Sequence, residues 1–258
     1  MAAEIAFVGR ALRYSPRNVD NDHAILETVR QELKKFGNCH EIVNEDKMEQ
    51  LPDADIYISM GRSKHSQELL TVKEAAGCIV VNSPMSVQLC NSRKRQMQLL
   101  EAAGLEVPPL VGQEGYWVKR GTGCRETDAD VQFVPDKQAA ELCREAMQQR
   151  GIDEVDIRAH ISGSWLKFYG VGNSFFQCYR AADGMSPVTG RVSELHGIAK
   201  NAAQIVGLDV YGGDFIVSDD SHRIYIVDLN DWPSFSACRE KAAKAIANLV
   251  VKRMENGQ

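Results

Sequence analysis

Residues 207–235 read GLDVYGGDFIVSDDSHRIYIVDLNDWPSF. Two apolar, β-branched runs flank the polar turn Asp219–His222, the pattern of a hairpin running from Gly213 to Asn230. Pairing the runs about Ser221 sets Asp214 directly opposite Asp228. Successive strand side chains alternate faces, so Asn230 shares the face of Asp228 one pleat further on. Two facing carboxylates repel, and burying them is costly unless a cation or protons neutralise them. Mg²⁺ fits such a site because it takes oxygen ligands and bridges a few carboxylates to nucleotide phosphates. Spacing alone is also met by a polar sheet edge facing water, and both readings stand at this point.

Upstream, the first third alternates strand and helix patterns. EIAFVG precedes a helix near Asp22–Phe36; HEIVN and ADIYISMG precede a helix near Ser66–Ala76; CIVVN closes the set. Short β-branched strands separated by amphipathic helices predict a parallel sheet covered by helices, a Rossmann-type half-domain over residues 1–84. No G-x-G-x-x-G follows the first strand, which disfavours a dinucleotide site. Arg10 and Arg62 lie at strand ends, where open parallel sheets bind ligands, and they read either as substrate-facing or as solvated loop residues.

Asn82-Ser83-Pro84 introduces one long helix, SVQLCNSRKRQMQLLEAAG, that stops at Gly104 before Pro108-Pro109. Beyond it, GYWVKR, the loop GTGCRETDAD, VQFV and a helix over about 136–150 form a small lid-sized lobe, giving a second segment at 85–155. The rest, 156–258, reads as VDIRAHI, a turn at Ser162-Gly163, WLKFYGVG, FFQCYR, a helix near Ser193–Val206, the hairpin and a final helix.

Lys119 stands inside an apolar strand, Lys94 early in the helix after Pro84, and Lys167 beside Trp165 and Phe168. A lysine in such a setting needs an anionic partner or a route to solvent, and phosphate would serve as the partner. Gly121-Thr122-Gly123 can bring backbone N–H groups to phosphate oxygens, or can simply be a turn.

The 258 residues are 44% hydrophobic and 25% charged, enough apolar content for one compact globular enzyme. The net charge of −5 supplies no general attraction for nucleic acid or an acidic membrane. Seven cysteines, an odd number without a C-x-x-C pair, read as reduced thiols. MAAEIAFVGR lacks a signal-peptide pattern, and no run reaches the ~18 apolar residues of a membrane span, so the expected location is the cytoplasm.

The order of these features resembles the ATP-grasp superfamily over nearly the whole chain. That superfamily includes D-alanine–D-alanine ligase, glutamate ligases that modify ribosomal proteins, glutathione synthetase and inositol polyphosphate kinases. RKRQMQLLEAAGLEVP resembles its early-lysine helix, YWVKRGTG its strand lysine and lid, and IRAHISGSWLKFYGVG its hinge. The segment from GLDVYGGD to DLN resembles its acidic metal-binding hairpin. Asp228 stands where a glutamate is usual, Arg158 and Ala159 stand where Gln and Glu are common, and the lid has fewer glycines than in many members.

The resemblance implies an α/β chain with α+β lobes, an ATP-grasp fold preceded by a Rossmann-like pre-ATP-grasp domain. It implies ATP and Mg²⁺ as cofactors: metal on Asp214, Asp228 and Asn230; phosphates on Lys94, Lys119, Gly121 and Lys167; adenine at the backbone of Ala159 and His160. Arg180 and Arg239, suited to hold a carboxylate and close in sequence to the hairpin, are nominated as catalytic substrate anchors, with Ser234 a further contact. The implied activity is a ligase that makes an acylphosphate from a small-molecule or peptide carboxylate for attack by an amine or thiol. A small-molecule kinase and a non-catalytic ATP-binding protein are the alternatives. The oligomeric state stays open, a homodimer included.

Overall fold

The computed structural model describes residues 2–16, 18–123 and 126–256, so Cys124 and Arg125 of the expected lid loop lie outside the described residues. The chain runs β1 (Ala3–Gly9), α1 (Val19–Leu33), β2 (Gly37–Asn44), β3 (Ile56–Ser59), α2 (Lys64–Ala75), β4 (Ile79–Val81), α3 (Pro84–Cys90) and α4 (Arg93–Ala102). Next come β5 (Tyr116–Arg120), β6 (Val131–Val134), α5 (Lys137–Gln149), β7 (Val155–Ala159), β8 (Gly163–Val171), β9 (Phe175–Arg180) and β10 (Ser186–Pro187). Last are α6 (Val192–Val206), β11 (Val210–Ser218), β12 (Ile224–Asp231) and α7 (Arg239–Asn256).

Three sheets result. The first is parallel, ordered β2-β1-β3-β4; the second is β10-β9-β8-β11-β12; the third is β6-β5-β7. All pairs in the second and third sheets are antiparallel. β7 pairs with β5, so the chain passes from the small sheet to the large one between Ala159 and Gly163, beyond the junction expected at 155/156. No described helix is long and apolar enough to cross a membrane.

Alternation along β8 sorts the core. Leu166 and Phe168 pack with Phe215, Ile226 and α6 residues such as Leu195 and Ala199. Tyr169 and Val171 pack on the other side with α7 (Ile246, Val250), α1 (Ile25, Val29), Trp232 and Phe235. That second cluster also holds Ile5 and Phe7 of the parallel sheet, so α7 and the segment after β12 bind the first and second sheets into one core. Asn82 adds a polar tie: its side chain accepts from the N–H groups of Asp209 and Val210 and donates to the Val210 carbonyl at 2.7 Å.

The helix expected as one unit over 86–104 is two, for a local reason. Ser83 caps the first, whose Pro84 needs no N–H partner at that position. At Asn91-Ser92 the backbone leaves the helix and docks on the glycine loop: the Arg93 N–H donates to the Gly121 carbonyl at 2.7 Å and the Gly123 N–H to the Asn91 carbonyl at 3.2 Å. Gly121 is required there, since a Cβ would lie 2.8 Å from the Glu154 carbonyl oxygen.

Candidate active site

The hairpin closes with Asp214 opposite Asp228, as its sequence symmetry implies. Nearer the turn Phe215 faces Ile226 and Val217 faces Ile224, which leaves Val227 as the extra residue of a β-bulge. Gly213 lets the strands close beside the acids, because a Cβ there would lie 2.1 Å from the Asp228 carbonyl oxygen. β8 lays Lys167 opposite Asp214, and the two pair at 2.9 Å. On the other side Arg93 meets Asp228 at 2.8 Å, and the side chain of Asn230 hydrogen-bonds the Asp228 carboxylate.

Above this floor the small sheet contributes a second lined face. Its register sets Lys119 opposite Asp156 and Trp117 opposite Arg158, and all four border the cleft. Lys119 Nζ lies 3.5 Å from the carbonyl of the bulged Val227, and Arg93 Nη1 reaches the same oxygen at 3.5 Å. Arg158 is 7% exposed and is held by Asp156 at 3.2 Å and the Pro108 carbonyl at 3.1 Å. His160 accepts from Trp117 Nε1 through Nδ1 at 3.1 Å.

Between the faces lies a cleft of 280 Å³ with an apolar end formed by Met97, Val131, Ala159, Ile161, Ile216 and Val227. Its size and lining suit a flat heteroaromatic group. Asp228 belongs both to this cleft and to a small polar cavity beyond it, where Arg62, Arg93, Arg120, Gly121 and Asn230 gather. The site therefore grades from apolar, through two carboxylates and two lysines, to an arginine-rich end.

The electrostatics push the two acids apart. Burial pushes the Asp214 carboxyl up, against the pull of Lys167. Burial acts on Asp228 in the same sense, but Arg93, Lys119 and the hydrogen bonds from Arg93 and Asn230 more than offset it and hold that carboxyl below the usual range. Burial, with Arg93 nearby, lowers Lys119. Among the described residues no group of three or more His, Cys, Asp or Glu could hold a metal ion. Asp214, Asp228 and Asn230 form an all-oxygen set suited to Mg²⁺ that also has phosphate ligands.

The structure brings Lys119, Gly121, Ala159, His160, Lys167, Asp214, Asp228 and Asn230 around these two cavities. Lys94 is exposed and lines neither, while its neighbour Arg93 turns inward, because the break at Ser92 resets the helix face. Arg180 is exposed at the end of β9. Arg239 hydrogen-bonds Asn21 Oδ1 at 2.8 Å. Neither borders the cleft or the polar cavity; among the described residues Arg158 lines the cleft, and Arg62, Arg93 and Arg120 line the polar cavity. The Asn91-Ser92 pair inside an apolar helix pattern was the one sequence signal for Arg93. Nothing local marks Asp156 or Arg158.

No protein-family profile matches the chain, and no curated protein sequence matches it. Solved structures do. A RimK domain protein ATP-grasp from Sphaerobacter thermophilus superposes with TM-score 0.72 at 18% identity, over 96% of this chain and 100% of that one. D-alanine–D-alanine ligase from Bacillus anthracis, complexed with ATP, gives 0.68 at 16% identity over 98% and 100%. The ATP-grasp ligase PsnB, complexed with a precursor variant, Mg and ADP, gives 0.69 at 15% identity over 98% and 99%. At these identities the likeness is one of fold: the chain has the ATP-grasp fold.

Proposed function

We propose that this protein is a Mg-ATP-dependent ligase that activates a carboxylate as an acylphosphate for attack by an amine or thiol. One observation carries the reading: Asp214, Asp228 and Asn230 stand where an apolar cleft meets an arginine-rich cavity. A nucleotide spanning that junction puts its base among Met97, Ile216 and Val227 beside the backbone of Ala159 and His160. Its phosphates then lie beside Lys119 and Lys167. The parallel sheet serves as the Rossmann-like lobe, the segment from α3 through β7 as the lid and the segment from β8 through α7 as the metal-bearing lobe of a cytoplasmic enzyme.

Mg²⁺ held by Asp214, Asp228 and Asn230 would offset charge on the β- and γ-phosphates. Lys119 and Lys167 add fixed positive charge, and the buried cleft strengthens it by excluding water. A substrate carboxylate held by Arg93 and Arg120 presents one oxygen to the γ-phosphorus; the new P–O bond forms as the bond to ADP breaks. The amine or thiol then attacks the acyl carbon, phosphate leaves with the bonding pair, and the nucleophile gives up its proton.

Calorimetry of ATP binding with and without Mg²⁺, on wild type and Asp228→Ala, tests the site, and ADP and phosphate release with carboxylate acceptors tests the reaction. Magnesium-dependent binding weakened by the substitution supports the reading. ATP that fails to bind either protein removes it, and a phosphorylated product without phosphate release makes the protein a kinase.

A further inference from the structure

Another cavity lies at the end of the large sheet, between α6 and α7, where β8 turns into β9 and β11 begins. It shares no lining residue with the cleft or the polar cavity. At ~3.3 Å per residue, its Asp209 stands roughly 15 Å along the chain from Asp214. Its volume of 370 Å³, at ~30 Å³ per water, has room for about a dozen heavy atoms.

The lining is sorted by depth. Ala203, Leu208 and Tyr211 are buried and form an apolar floor, which half-buried Leu249 extends. Tyr211 spends its hydroxyl on the Gly172 carbonyl at 3.1 Å, so the floor offers a ring and no spare polar group. Asn173, Ser174, Gln204, Asn248 and Lys252 are exposed and Lys200 is half-buried, which sets the polar side chains around the mouth.

The charges are sorted as well. Asp209 is the one acid of the lining, and Arg253 pairs with it at 2.6 Å, so those two charges cancel. Arg253 also donates to the Val80 carbonyl at 3.4 Å, tying β4 of the parallel sheet to the residue before β11. Lys200 and Lys252 remain, one from each helix, and among the described residues neither meets a carboxylate within ion-pair distance. In a chain of net charge −5, two uncompensated positive charges at one cavity mark it for an anion.

The occupant is constrained in three ways. A charge near −2 offsets both lysines, an apolar body covers the floor, and the charge belongs at one end, because the lysines stand at the mouth. A monocarboxylate leaves one lysine uncompensated, and a dicarboxylate of this size drives a second charge onto the floor. A phosphomonoester meets all three conditions. It carries about −1.5 to −2 at neutral pH on three acceptor oxygens, and the amides and hydroxyl around the mouth can donate to them.

We propose that the cavity between α6 and α7 binds a small phosphomonoester, its phosphate held between Lys200 and Lys252 and its apolar body on Leu208 and Leu249. The site is separate from the nucleotide cleft, and it stands or falls independently of the ligase reading.

Calorimetry and thermal unfolding of the full chain test it, with phenyl phosphate as the probe. The comparison probes are phenyl sulfate, which keeps the shape with a single negative charge, inorganic phosphate and succinate. The variants are Lys200→Gln, Lys252→Gln and the charge-keeping Lys252→Arg, with Arg93→Ala as a control in the other site. Neither lysine has an ion-pair partner to strand, so the lysine variants should keep the wild-type Tm without ligand. Phenyl phosphate should bind wild type and Arg93→Ala alike and raise the Tm of both. Each glutamine variant should weaken it at least about tenfold, the loss expected for one charge-assisted hydrogen bond, while Lys252→Arg stays within about threefold. The three comparison probes should each bind wild type at least about tenfold more weakly. Phenyl phosphate that fails to bind, or that Arg93→Ala abolishes and the glutamine variants keep, would overturn the site. Phenyl sulfate or succinate binding as tightly would overturn the one-ended dianion, and inorganic phosphate binding as tightly would overturn the apolar body.

Discussion

Asp228 and Asp231 lie three residues apart on β12 and meet opposite fates. Asp231 is 1% exposed and is clamped by two arginines from the parallel sheet's loops. Arg62 pairs with its carboxylate, and Arg10 reaches it at 3.7 Å while also binding Asp22 at 3.1 Å and the Trp232 carbonyl at 3.0 Å. Asp228 is 24% exposed and faces a cavity with Arg93, Lys119 and Asn230 around it. Burial pushes both carboxyls up, but both are held below the ordinary range, Asp228 by Arg93, Lys119 and Asn230 and Asp231 by Arg62 and Arg10. The difference is completeness: a charge saturated by protein partners is a clamp, and one left open toward a cavity can bind.

The largest effect expected from this contrast is on folding. Asp231→Ala strands Arg10 and Arg62 in a buried place, and removing one partner of such a set costs about 3–5 kcal/mol. For a chain of this size that lowers Tm by roughly 10 °C. Calorimetric unfolding checks it; a Tm within a degree of wild type would mean that the clamp is not structural.

Asp228→Ala should divide the other way. With a cavity beside it, Arg93 can rehydrate, so stability changes by less than about 1 kcal/mol. Mg-dependent ATP affinity falls about tenfold to a hundredfold, equivalent to about 1.4–2.7 kcal/mol. A variant that loses stability while keeping affinity would reverse the roles assigned to the two aspartates.

How much of this was legible follows from sequence separation. The Asp214–Asp228 pairing was readable because a short turn closes the register, and the bulge at Val227 left that one pairing intact. The parallel sheet was readable from alternating strand and helix patterns. The junction between the small and large sheets was misplaced because VDIRAHI and WLKFYGVG look alike in pattern, and only pairing with the distant β5 assigns the first of them. Lys119 with Asp156, and Trp117 with Arg158, are neighbours across that same pairing, which no local spacing reveals. Closeness in sequence points to Arg180 and Arg239, whereas the cavity draws its arginines from the loop after β3, the start of α4 and the end of β5 in the small sheet.

A smaller effect separates neighbours in α4. Arg93→Ala removes a charge-assisted hydrogen bond to Asp228 and should weaken Mg-ATP binding about tenfold, whereas Lys94→Ala, on the exposed face, should change it by less than about twofold. Equal losses in the two variants would show that α4 turns in solution to present Lys94 as well.

The smallest effect concerns a third aspartate, which has the saturation of Asp231 without its depth in the core. Asp130, 0% exposed, accepts from the N–H groups of Glu126 and Thr127 and pairs with Arg150 and Arg120. Burial would push its carboxyl up, but Arg150 and those N–H groups more than offset it and hold it at about 2. A carboxyl lowered by folding stabilises the native state above its unfolded pKa of about 3.9, and that contribution is lost as pH falls through the folded value. Arg150 is 38% exposed, so water screens the pair and the contribution is about 1 kcal/mol. Urea titrations at pH 7 and pH 3 should therefore show wild type losing more stability on acidification than Asp130→Asn. Parallel losses would mean that this carboxylate is held by geometry alone and that depth, as at Asp231, is what makes a clamp.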